Sequence, residues 1–469
     1  MSREKKLILN TIILGFGTVL PKIATFLILP ILTSYLTKIE YGTYDLVITS
    51  LSFILPIITL QIEQATFRFL IDIDTIKEKA KIVTTSSVYV IIVSLIMYLI
   101  GSIALNGFSF WSKQLILIFA VTNLLYKFIL QINRGLKQLR IYSTMTLINS
   151  LLNVLMIILF VWKLRLGFMG LLISLNISIV LAIVFGLLYG GIQKYLLISS
   201  FNKYSLKEML VYSIPLLPNS ISWWIVGLSD RWIITTFLGL EYNALYAISN
   251  KIPNLFNLVY NNFNLAWQES ASVSIKDDDI NEYYSSIFEA LYNFLVGAIL
   301  LLITVSPVIF NVFIDSSYER AYYQMPILFS GVFFHSLGSF FGGIYVAFKK
   351  SSKVGKSAFL GAFINIVVNI IFVKKIGLYA ASLSTLASYF VIVVYRIWDV
   401  RKFVTIKYNR LTIAISILLI ITVSAINYIN ITKLNIMNFT IALIIALIIN
   451  KKMIRNILKS LKAKRNSDN

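Results

Sequence analysis

The chain has 469 residues, of which 58% are hydrophobic and 13% are charged. This composition excludes a soluble globular domain, in which charged residues make up roughly a quarter of the sequence. Lysine and arginine exceed aspartate and glutamate by 22. No cysteine is present, so disulfides and thiolate metal sites are excluded.

Apolar runs of about 20 residues recur along the chain, and each is long enough to cross a hydrocarbon core of about 30 Å. Continuous runs exclude a transmembrane β-barrel, whose strands show short alternating stretches. We therefore predict an all-α integral membrane protein with about 14 transmembrane helices. In chain order, the predicted spans are 9–36, 43–62, 82–103, 114–133, 141–162, 168–190, 211–237, 242–266, 286–313, 326–348, 357–373, 378–398, 411–430 and 437–450.

Lysines and arginines in the connecting loops predict the orientation of these helices. Of these residues, 29 lie in segments that face the cytoplasm if the N-terminus is inside, and 8 lie in the opposite loops. The sequence therefore predicts a multi-pass protein with both termini in the cytoplasm. This asymmetry explains the positive charge without nucleic acid as a partner. The basic C-terminal tail is expected to contact membrane lipid or to be solvated.

Six of the eight prolines fall in two pairs of predicted helices, spans 1 and 2 and spans 7 and 8. A proline removes a backbone N–H and clashes with the preceding turn, so each one kinks or interrupts its helix. Broken helices at matching places in two halves of a membrane protein indicate a transport pathway. The six prolines are Pro21, Pro30, Pro56, Pro215, Pro218 and Pro253.

A weak internal repeat supports an organisation in two bundles. The segment LTSYLTKIEYGTYDLV (32–47) is similar to ITTFLGLEYNALYAI (234–248) when single-residue gaps are allowed. Six spans separate the copies, so both have the same orientation, and such parallel repeats place a substrate site at their interface. We predict two pseudo-symmetric six-helix bundles over 1–200 and 201–405. Two additional helices and a basic tail are expected over 406–469.

Ionisable side chains inside the predicted spans are functional candidates, because each costs roughly 2.5–3.5 kcal/mol at the membrane centre. Those in the proline-broken spans are Lys22, Asp45, Asp230, Arg231 and Lys251. Asp230 and Lys251 lie at similar depth on adjacent helices, so we predict a salt bridge between them. Lys22 and Arg231 would then be left to meet an anion. The alternative is that these cations are paired or extend to the outer interface.

Spans 7 and 8 also carry many amides and aromatic rings. Asn250, Asn254 and Asn257 are spaced 4 and 3 residues apart and share one face of a helix. Asn219 and Trp223 lie in the preceding span. Amides and flat rings suit hydroxyl-rich sugars, because they hydrogen-bond and stack without charge. They equally suit hydrogen bonding between helices.

The sequence contains no convincing catalytic or nucleotide-binding pattern. The loops are at most about twenty residues, too short for a soluble domain with its own core, and no glycine-rich phosphate loop is found. Asp72 and Asp74 match the DxD pattern of glycosyltransferases, but a solvated turn is the simpler interpretation. We therefore predict a transporter and not an enzyme, with no cofactor and no metal.

Two segments resemble bacterial polysaccharide flippases, the Wzx-type members of the multidrug/oligosaccharidyl-lipid/polysaccharide exporter superfamily. The first is LPILTSYLTKIEYGTYDL (29–46). The second is YSIPLLPNSISWWIVGLSDRWII (212–234), which continues into NALYAISNKIPNLFNLVYNNFNLAWQESA (243–271). The resemblance implies two six-helix bundles that form a V-shaped cavity. The two extra C-terminal helices depart from the commoner twelve-helix form.

The resemblance implies translocation of undecaprenyl-diphosphate-linked oligosaccharide repeat units by alternating access. The direction would be from the inner to the outer leaflet of the bacterial cytoplasmic membrane, for capsule, exopolysaccharide or the O-antigen of lipopolysaccharide. Lys22, Arg231 and Lys251 would receive the diphosphate. Asp45 and Asp230 would be their salt-bridge partners or would bind a coupling ion, H⁺ or Na⁺. Implied partners are membrane lipid, a polysaccharide polymerase and chain-length machinery.

Two alternatives stay open on the sequence alone. A cation-coupled multidrug exporter of the same superfamily would have a predominantly acidic cavity, whereas the five ionisable candidates here sum to +1. A membrane glycan polymerase or ligase would commonly carry a large external loop with catalytic residues. The predicted external loops are short.

Overall fold

The computed structural model describes Pro21 and residues 23–455 of the chain. Within these residues the backbone forms helices and turns and no strand. The predicted fold class, an all-α membrane protein, is confirmed. The first nine helices are α1 Leu29–Tyr35, α2 Lys38–Thr59, α3 Ile62–Ile71, α4 Ile76–Ala104, α5 Phe110–Gly135, α6 Leu139–Ile157, α7 Gly167–Gly190, α8 Lys203–Ser213 and α9 Leu217–Leu228.

The second half of the chain continues the series of helices with connections that are equally short. A single glycine, Gly239, joins α10 to α11, and its positive φ of 99° is a backbone conformation that glycine adopts without strain. The helices are α10 Asp230–Leu238, α11 Leu240–Ser249, α12 Lys251–Val273, α13 Ile280–Phe313, α14 Glu319–Tyr322, α15 Met325–Ala347, α16 Ser351–Ile376, α17 Leu378–Val400, α18 Arg410–Ile429 and α19 Thr432–Ile449.

Twelve helical segments of the described chain are long and apolar enough to cross a membrane. They correspond to twelve of the fourteen spans predicted from the sequence. The first predicted span lies partly outside the described residues, and within them it is a shorter apolar helix over Ile23–Tyr35. The eighth is divided into α11 and α12 at Asn250. Neither half is among the twelve segments, because α11 is short and α12 carries many amides.

Prolines lie where helices begin, as well as inside them. Pro30 is in the first turn of α1, and Pro215 lies in a 3₁₀ turn, Ile214–Leu216, between α8 and α9. Pro253 occupies the first turn of α12. These positions tolerate proline because the missing N–H would have no partner inside the helix. Pro56 lies inside α2.

The start of α2 shows how the sequence sets a helix boundary. The Thr37 hydroxyl accepts a hydrogen bond from the Glu40 backbone N–H (3.2 Å), and the Glu40 carboxylate accepts one from the Thr37 N–H (2.8 Å). This reciprocal capping box satisfies two N–H groups that a helix start leaves without partners. The second Glu40 oxygen accepts a bond from the Phe168 N–H (2.9 Å), which ties α2 to the start of α7.

The chain divides into two compact units, residues 1–224 and residues 225–469. The core of the first unit is aliphatic and aromatic, with Ile62, Val83 and Phe119 almost fully buried. Tyrosine and phenylalanine are prominent among the fully buried residues of the second unit. The division lies inside α9, further along the chain than the boundary at residue 200 that the sequence suggested. The count of six helices in each bundle stays a prediction.

Candidate functional site

A buried aspartate marks the most polar part of the interior of the second unit. Asp230 begins α10, directly after Ser229, and only 1% of its surface is exposed. Its Oδ2 accepts hydrogen bonds from the Tyr246 hydroxyl and the Thr385 hydroxyl, each at 2.8 Å. Its Oδ1 accepts one from the Asn369 side-chain amide, also at 2.8 Å. All three donors are uncharged, so they stabilise the carboxylate without neutralising it.

Four helices supply these side chains. Asp230 comes from α10, Tyr246 from α11, Asn369 from α16 and Thr385 from α17. The partial positive charge at a helix N-terminus also favours a carboxylate at the first position of α10. The carboxylate is therefore held by helices that are up to 155 residues apart in the chain. A relative movement of any of these helices would change its surroundings.

A second layer of polar side chains surrounds this cluster. The Ser229 hydroxyl donates to Asn365 Oδ1 (3.3 Å), and the Asn365 amide lies 3.4 Å from the hydroxyls of both Ser384 and Thr385. Asn369 Oδ1 is buried and has no hydrogen-bond partner among the described residues. Carboxylate, amide and hydroxyl oxygens are the ligands that hard cations prefer. No group of three or more His, Cys, Asp or Glu suited to a metal occurs in the described chain.

Arg231, the next residue, is also buried, with 5% of its surface exposed. Its Nη1 donates to the Gly227 carbonyl at 3.3 Å, and its guanidinium carbon lies 5.6 Å from the centre of the Tyr246 ring. Arg231 makes further contacts as well. Tyr246 thus contacts both neighbours, the aspartate through its hydroxyl and the arginine through its ring. Three membrane-buried polar groups are brought together in this way.

The predicted salt bridge between Asp230 and Lys251 is wrong. Both residues are described, and the carboxylate is bonded to uncharged donors instead of the Lys251 ammonium. Lys251 is half-buried at the first position of α12 and has other partners. Similar depth in the membrane was the basis of the prediction. Depth does not determine the direction in which a side chain leaves its helix, so it could not select the partner.

Asn254 and Asn257 lie in α12, whereas Asn250 lies at the break between α11 and α12. Asn250 precedes α12, and its amide donates to the Tyr246 carbonyl at 2.8 Å, next to the Asp230 cluster. Asn254 is exposed. Asn257 is half-buried, and its Oδ1 has no hydrogen-bond partner among the described residues. Their role in binding sugar stays a prediction.

The remaining predicted site residues belong to the first unit. Lys22 lies outside the described residues. Asp45 is half-buried in α2 and has a partner. Asn219 and Trp223 lie in α9, and 47% of the Trp223 surface is exposed. The structure therefore places Asp230, Arg231 and Asn250 around Tyr246 in the second unit.

The sequence interpretation missed three of the four residues that form the core of the Asp230 cluster. Tyr246, Asn369 and Thr385 carry no charge, and the search within the spans concentrated on charged residues. A usable signal existed in α16, where Asn365 and Asn369 are spaced four residues apart in an apolar run and so share one face. Tyr246 was noticed only as a member of the internal repeat.

Comparisons with known proteins agree with this architecture. Residues 7–268 match the family described as "Polysaccharide biosynthesis protein". No curated protein matches the sequence. These 262 residues cover more than half of the chain and include the start of α10 and all of α11.

Several solved structures share the fold. The lipid II flippase MurJ in an inward closed conformation superposes with a TM-score of 0.68 at 16% identity, covering 96% of this chain and 100% of that one. A multidrug resistance MATE family transporter of the MOP superfamily, inward-facing, gives 0.67 at 13% identity, with 84% and 98% covered. A MOP superfamily transporter from Pyrococcus furiosus gives 0.57 at 12% identity, with 85% and 96% covered. At these identities the likeness establishes the transporter fold alone.

Proposed function

Because the chain belongs to the polysaccharide biosynthesis protein family, we propose that it is a flippase for a lipid-linked oligosaccharide. The substrate is an undecaprenyl-diphosphate-linked repeat unit, moved from the inner to the outer leaflet of the bacterial cytoplasmic membrane by alternating access. Its product feeds surface polysaccharide assembly. The observation that carries this proposal is the buried pair Asp230 and Arg231 inside an apolar, multi-pass protein of this family.

The cations of the broken spans would bind the diphosphate. A buried guanidinium suits this task, because it presents several donors to phosphate oxygens and keeps its charge. Arg231 and Lys251 are the described candidates, and Lys22 is the third. Once bound, the anion has a favourable direction of travel. Outward movement across an inside-negative membrane releases roughly 2.3 kcal/mol per charge for each 100 mV.

The Asp230 carboxylate would bind the coupling ion, a proton or Na⁺. Its three hydrogen-bond donors are uncharged, so a cation is the species that would neutralise it inside the membrane. The Thr385 hydroxyl, which is bonded to Asp230, and the unpartnered Asn369 Oδ1 would complete its coordination or hydrogen bonding. Asp45 would be a second carboxylate of this kind. Ion binding at Asp230 would alter the surroundings of Arg231 through Tyr246, which contacts both.

The amide face of α12 would contact the sugars. Asn254 is exposed and Asn257 has an amide oxygen without a partner among the described residues. Uncharged amides can hydrogen-bond sugar hydroxyls and do not require the sugar to carry a charge. Asn250 would extend this surface, and Asn219 and Trp223 stay proposed sugar-binding residues of α9.

A strain lacking its own repeat-unit flippase provides the test, with surface polysaccharide as the readout. We expect the wild-type gene to restore the polysaccharide. The double variant Arg231→Gln/Lys251→Gln, present at normal level in the membrane, should restore little of the surface polysaccharide. Lys433→Gln, a change of an exposed residue in the first turn of α19, should restore it fully. Full restoration by the double variant would contradict the assignment of the cations, and no restoration by wild type would contradict the function.

A second function is favoured by one observation, the superposition on a multidrug resistance transporter. A cation-coupled exporter of small molecules would also use a buried carboxylate such as Asp230. A drug-susceptibility assay in a strain without its own efflux pumps separates the two functions. Resistance that depends on Asp230, together with no restoration of polysaccharide, would favour the exporter.

A further inference from the structure

A cavity of about 530 Å³ opens in the second unit where α13, α18 and α19 meet. Phe288, Tyr292 and Ile413 form its apolar wall, and Lys407, Asn409 and Thr412 belong to its polar wall. Its volume is in the range of pockets that hold small ligands, about 300–1,000 Å³. This cavity lies within one unit, and none of the residues assigned to the Asp230 cluster lines it.

The segment before α18 forms the polar wall, and hydrogen bonds hold it in place. The Lys407 backbone N–H donates to the Ser285 hydroxyl of α13 at 2.9 Å. The Asn409 side chain caps α18 by accepting from the N–H groups of Leu411 (2.9 Å) and Thr412 (3.3 Å). The N-terminus of α18, with its partial positive charge, therefore lies at the polar wall of the cavity, which favours a negatively charged ligand.

Exposed basic residues surround the opening. Lys407 is in the wall, and Arg410 is the first residue of α18. Lys451 and Lys452 follow α19 directly, and the preceding Asn450 donates its amide to the carbonyl of the wall residue Asn293 at 3.1 Å. All four basic residues are exposed. They also lie at the end of the unit that the distribution of loop charges predicts to face the cytoplasm.

Two carboxylates oppose these four cations. Glu289 lies in the wall, and Glu282 is 3.7 Å from Lys407 with both side chains largely exposed. An ion pair with that exposure contributes little, about 0–1 kcal/mol. The local charge is therefore positive, and Glu289 is the one acidic group of the described wall that a bound anion would meet.

The apolar surface beside the opening shows what kind of anion fits. Leu411, Ile415 and Leu418 of α18 are exposed by 66%, 48% and 63%, and they are spaced four and three residues apart. This spacing places them on one face of α18 that points away from the wall residues Thr412 and Ile413 and toward the surrounding lipid. The apolar wall of the cavity itself, Phe288, Tyr292 and Ile413, is the surface that can accept the apolar chains of a ligand with an anionic head.

We propose that this cavity binds the headgroup of an anionic glycerophospholipid, such as phosphatidylglycerol. Its phosphate contacts Lys407 and Arg410 beside the N-terminus of α18, and its acyl chains lie along Tyr292 and Ile413 of the apolar wall. Basic pockets between helices at the cytoplasmic side of a membrane bind anionic lipid headgroups by the same means. The lipid would join α18 and α19 to α13, and so attach the two C-terminal helices to the rest of the unit.

Native mass spectrometry of the full-length protein in detergent tests this proposal. We expect phosphatidylglycerol to remain bound where phosphatidylethanolamine and phosphatidylcholine do not. Each basic residue near an anionic lipid contributes a factor of about five in affinity, so Lys407→Gln/Arg410→Gln should weaken binding roughly 25-fold. Lys374→Gln/Lys375→Gln removes the same charge from the last turn of α16, outside the cavity wall. This control variant should leave binding unchanged. Equal retention of the three lipids, or equal effects of the two double variants, would overturn the proposal.

Two further variants keep the test decisive if the first one fails to fold. Thr412→Phe fills the cavity without changing its charge and should abolish selective binding of phosphatidylglycerol. Glu289→Gln removes the carboxylate and should strengthen binding about fivefold. Weaker binding by Glu289→Gln would indicate a headgroup that carries an amine, and it would contradict an anionic one. Inorganic phosphate that raises thermal stability as much as phosphatidylglycerol would show a soluble anion site instead.

Discussion

Two buried aspartates of the second unit are stabilised in opposite ways. Asp230 accepts hydrogen bonds from Tyr246, Asn369 and Thr385, none of which carries a charge. Asp399, 3% exposed, lies close to both the Lys353 ammonium (2.6 Å) and the Lys402 ammonium (3.0 Å) and accepts a bond from the Tyr345 hydroxyl (2.9 Å). One carboxylate keeps a negative charge that nothing among these donors cancels, and the other is paired with two cations.

The difference separates a carboxylate that can respond to a mobile cation, Asp230, from one that holds helices together, Asp399. Asp399 joins the end of α17 to the start of α16 through Lys353 and to the end of α15 through Tyr345. Its charge is already compensated, so an added cation would gain little there. Asp230 lies in an apolar span, where a charge without an ion-pair partner is expensive, and the neighbouring Arg231 guanidinium compensates it only in part. A mobile cation at this position would relieve that penalty, which is the property that coupling requires.

The largest expected effect comes from removing each charge in turn. Asp230→Asn keeps the shape of the side chain but no longer attracts a cation, so transport should lose its dependence on Na⁺ or pH. Asp399→Asn should retain that dependence and lose mainly thermal stability. Transport rates in proteoliposomes at varied Na⁺ concentration and pH provide the measurement. If both variants kept the cation dependence of wild type, the distinction between the two aspartates would be lost.

The two tyrosines give a matched pair of smaller changes, since each donates one hydrogen bond to an aspartate. The Tyr246 hydroxyl stabilises the cation-free carboxylate, so Tyr246→Phe should raise the affinity of the site for its cation. A hydrogen bond to a charged group contributes about 1.5–3 kcal/mol, which corresponds to a change of about tenfold or more. Tyr345→Phe should leave this affinity unchanged, because both lysines still pair with Asp399.

The cation concentration that gives half-maximal transport measures this affinity. A similar shift in Tyr246→Phe and Tyr345→Phe would show that the effect is general and not specific to Asp230. An unchanged value in Tyr246→Phe would place the coupling cation elsewhere.

A third carboxylate extends the comparison, because one of its two oxygens lacks a hydrogen-bond donor. Glu63 lies in α3, and its Oε2 is buried without a hydrogen-bond partner among the described residues. Burial raises the pKa of this carboxyl, while its backbone hydrogen bond, the Thr59 hydroxyl and Lys127 act in the opposite direction. The folded protein therefore binds this proton more tightly than the unfolded chain. Its stability should rise as pH falls through the raised pKa.

The smallest expected effect follows from this dependence of stability on pH. Glu63→Gln removes a poorly solvated charge at neutral pH, so it should raise the thermal unfolding midpoint slightly, and it should remove part of the increase seen when pH is lowered from 7 toward 5. Thermal unfolding in detergent at several pH values measures both. A lower midpoint at neutral pH, with an unchanged pH dependence, would show that the charged form of Glu63 is stabilised by the fold.

The sequence predicted much of the fold, because transmembrane helices are identified by the length and composition of single segments. Twelve of the predicted spans are helices in the structure that are long and apolar enough to cross a membrane. The eighth did not, since Asn250 interrupts it and α12 carries many amides. The candidate Asp230 was also found from sequence, because an ionisable residue in an apolar run is rare enough to be conspicuous.

The partners of Asp230 could not be predicted in the same way. Asn369 and Thr385 lie 139 and 155 residues further along the chain. Their approach depends on how α16 and α17 pack and rotate, which no local pattern records. The choice of Lys251 failed for the same reason, since equal depth leaves the rotation of each helix undetermined. Long-range contacts between uncharged groups are the part of a site that one sequence does not reveal.

Leaflet accessibility of a fluorescent undecaprenyl-diphosphate-linked oligosaccharide in proteoliposomes tests the central claim most directly. With an inside-negative potential, wild type should expose the lipid to an enzyme or quencher added outside, and a cation gradient should accelerate this exposure in wild type but not in Asp230→Asn. Asp399→Asn should resemble wild type. Lipid that stays in the inner leaflet with wild type, while a cationic drug is expelled from the same vesicles, would contradict the claim.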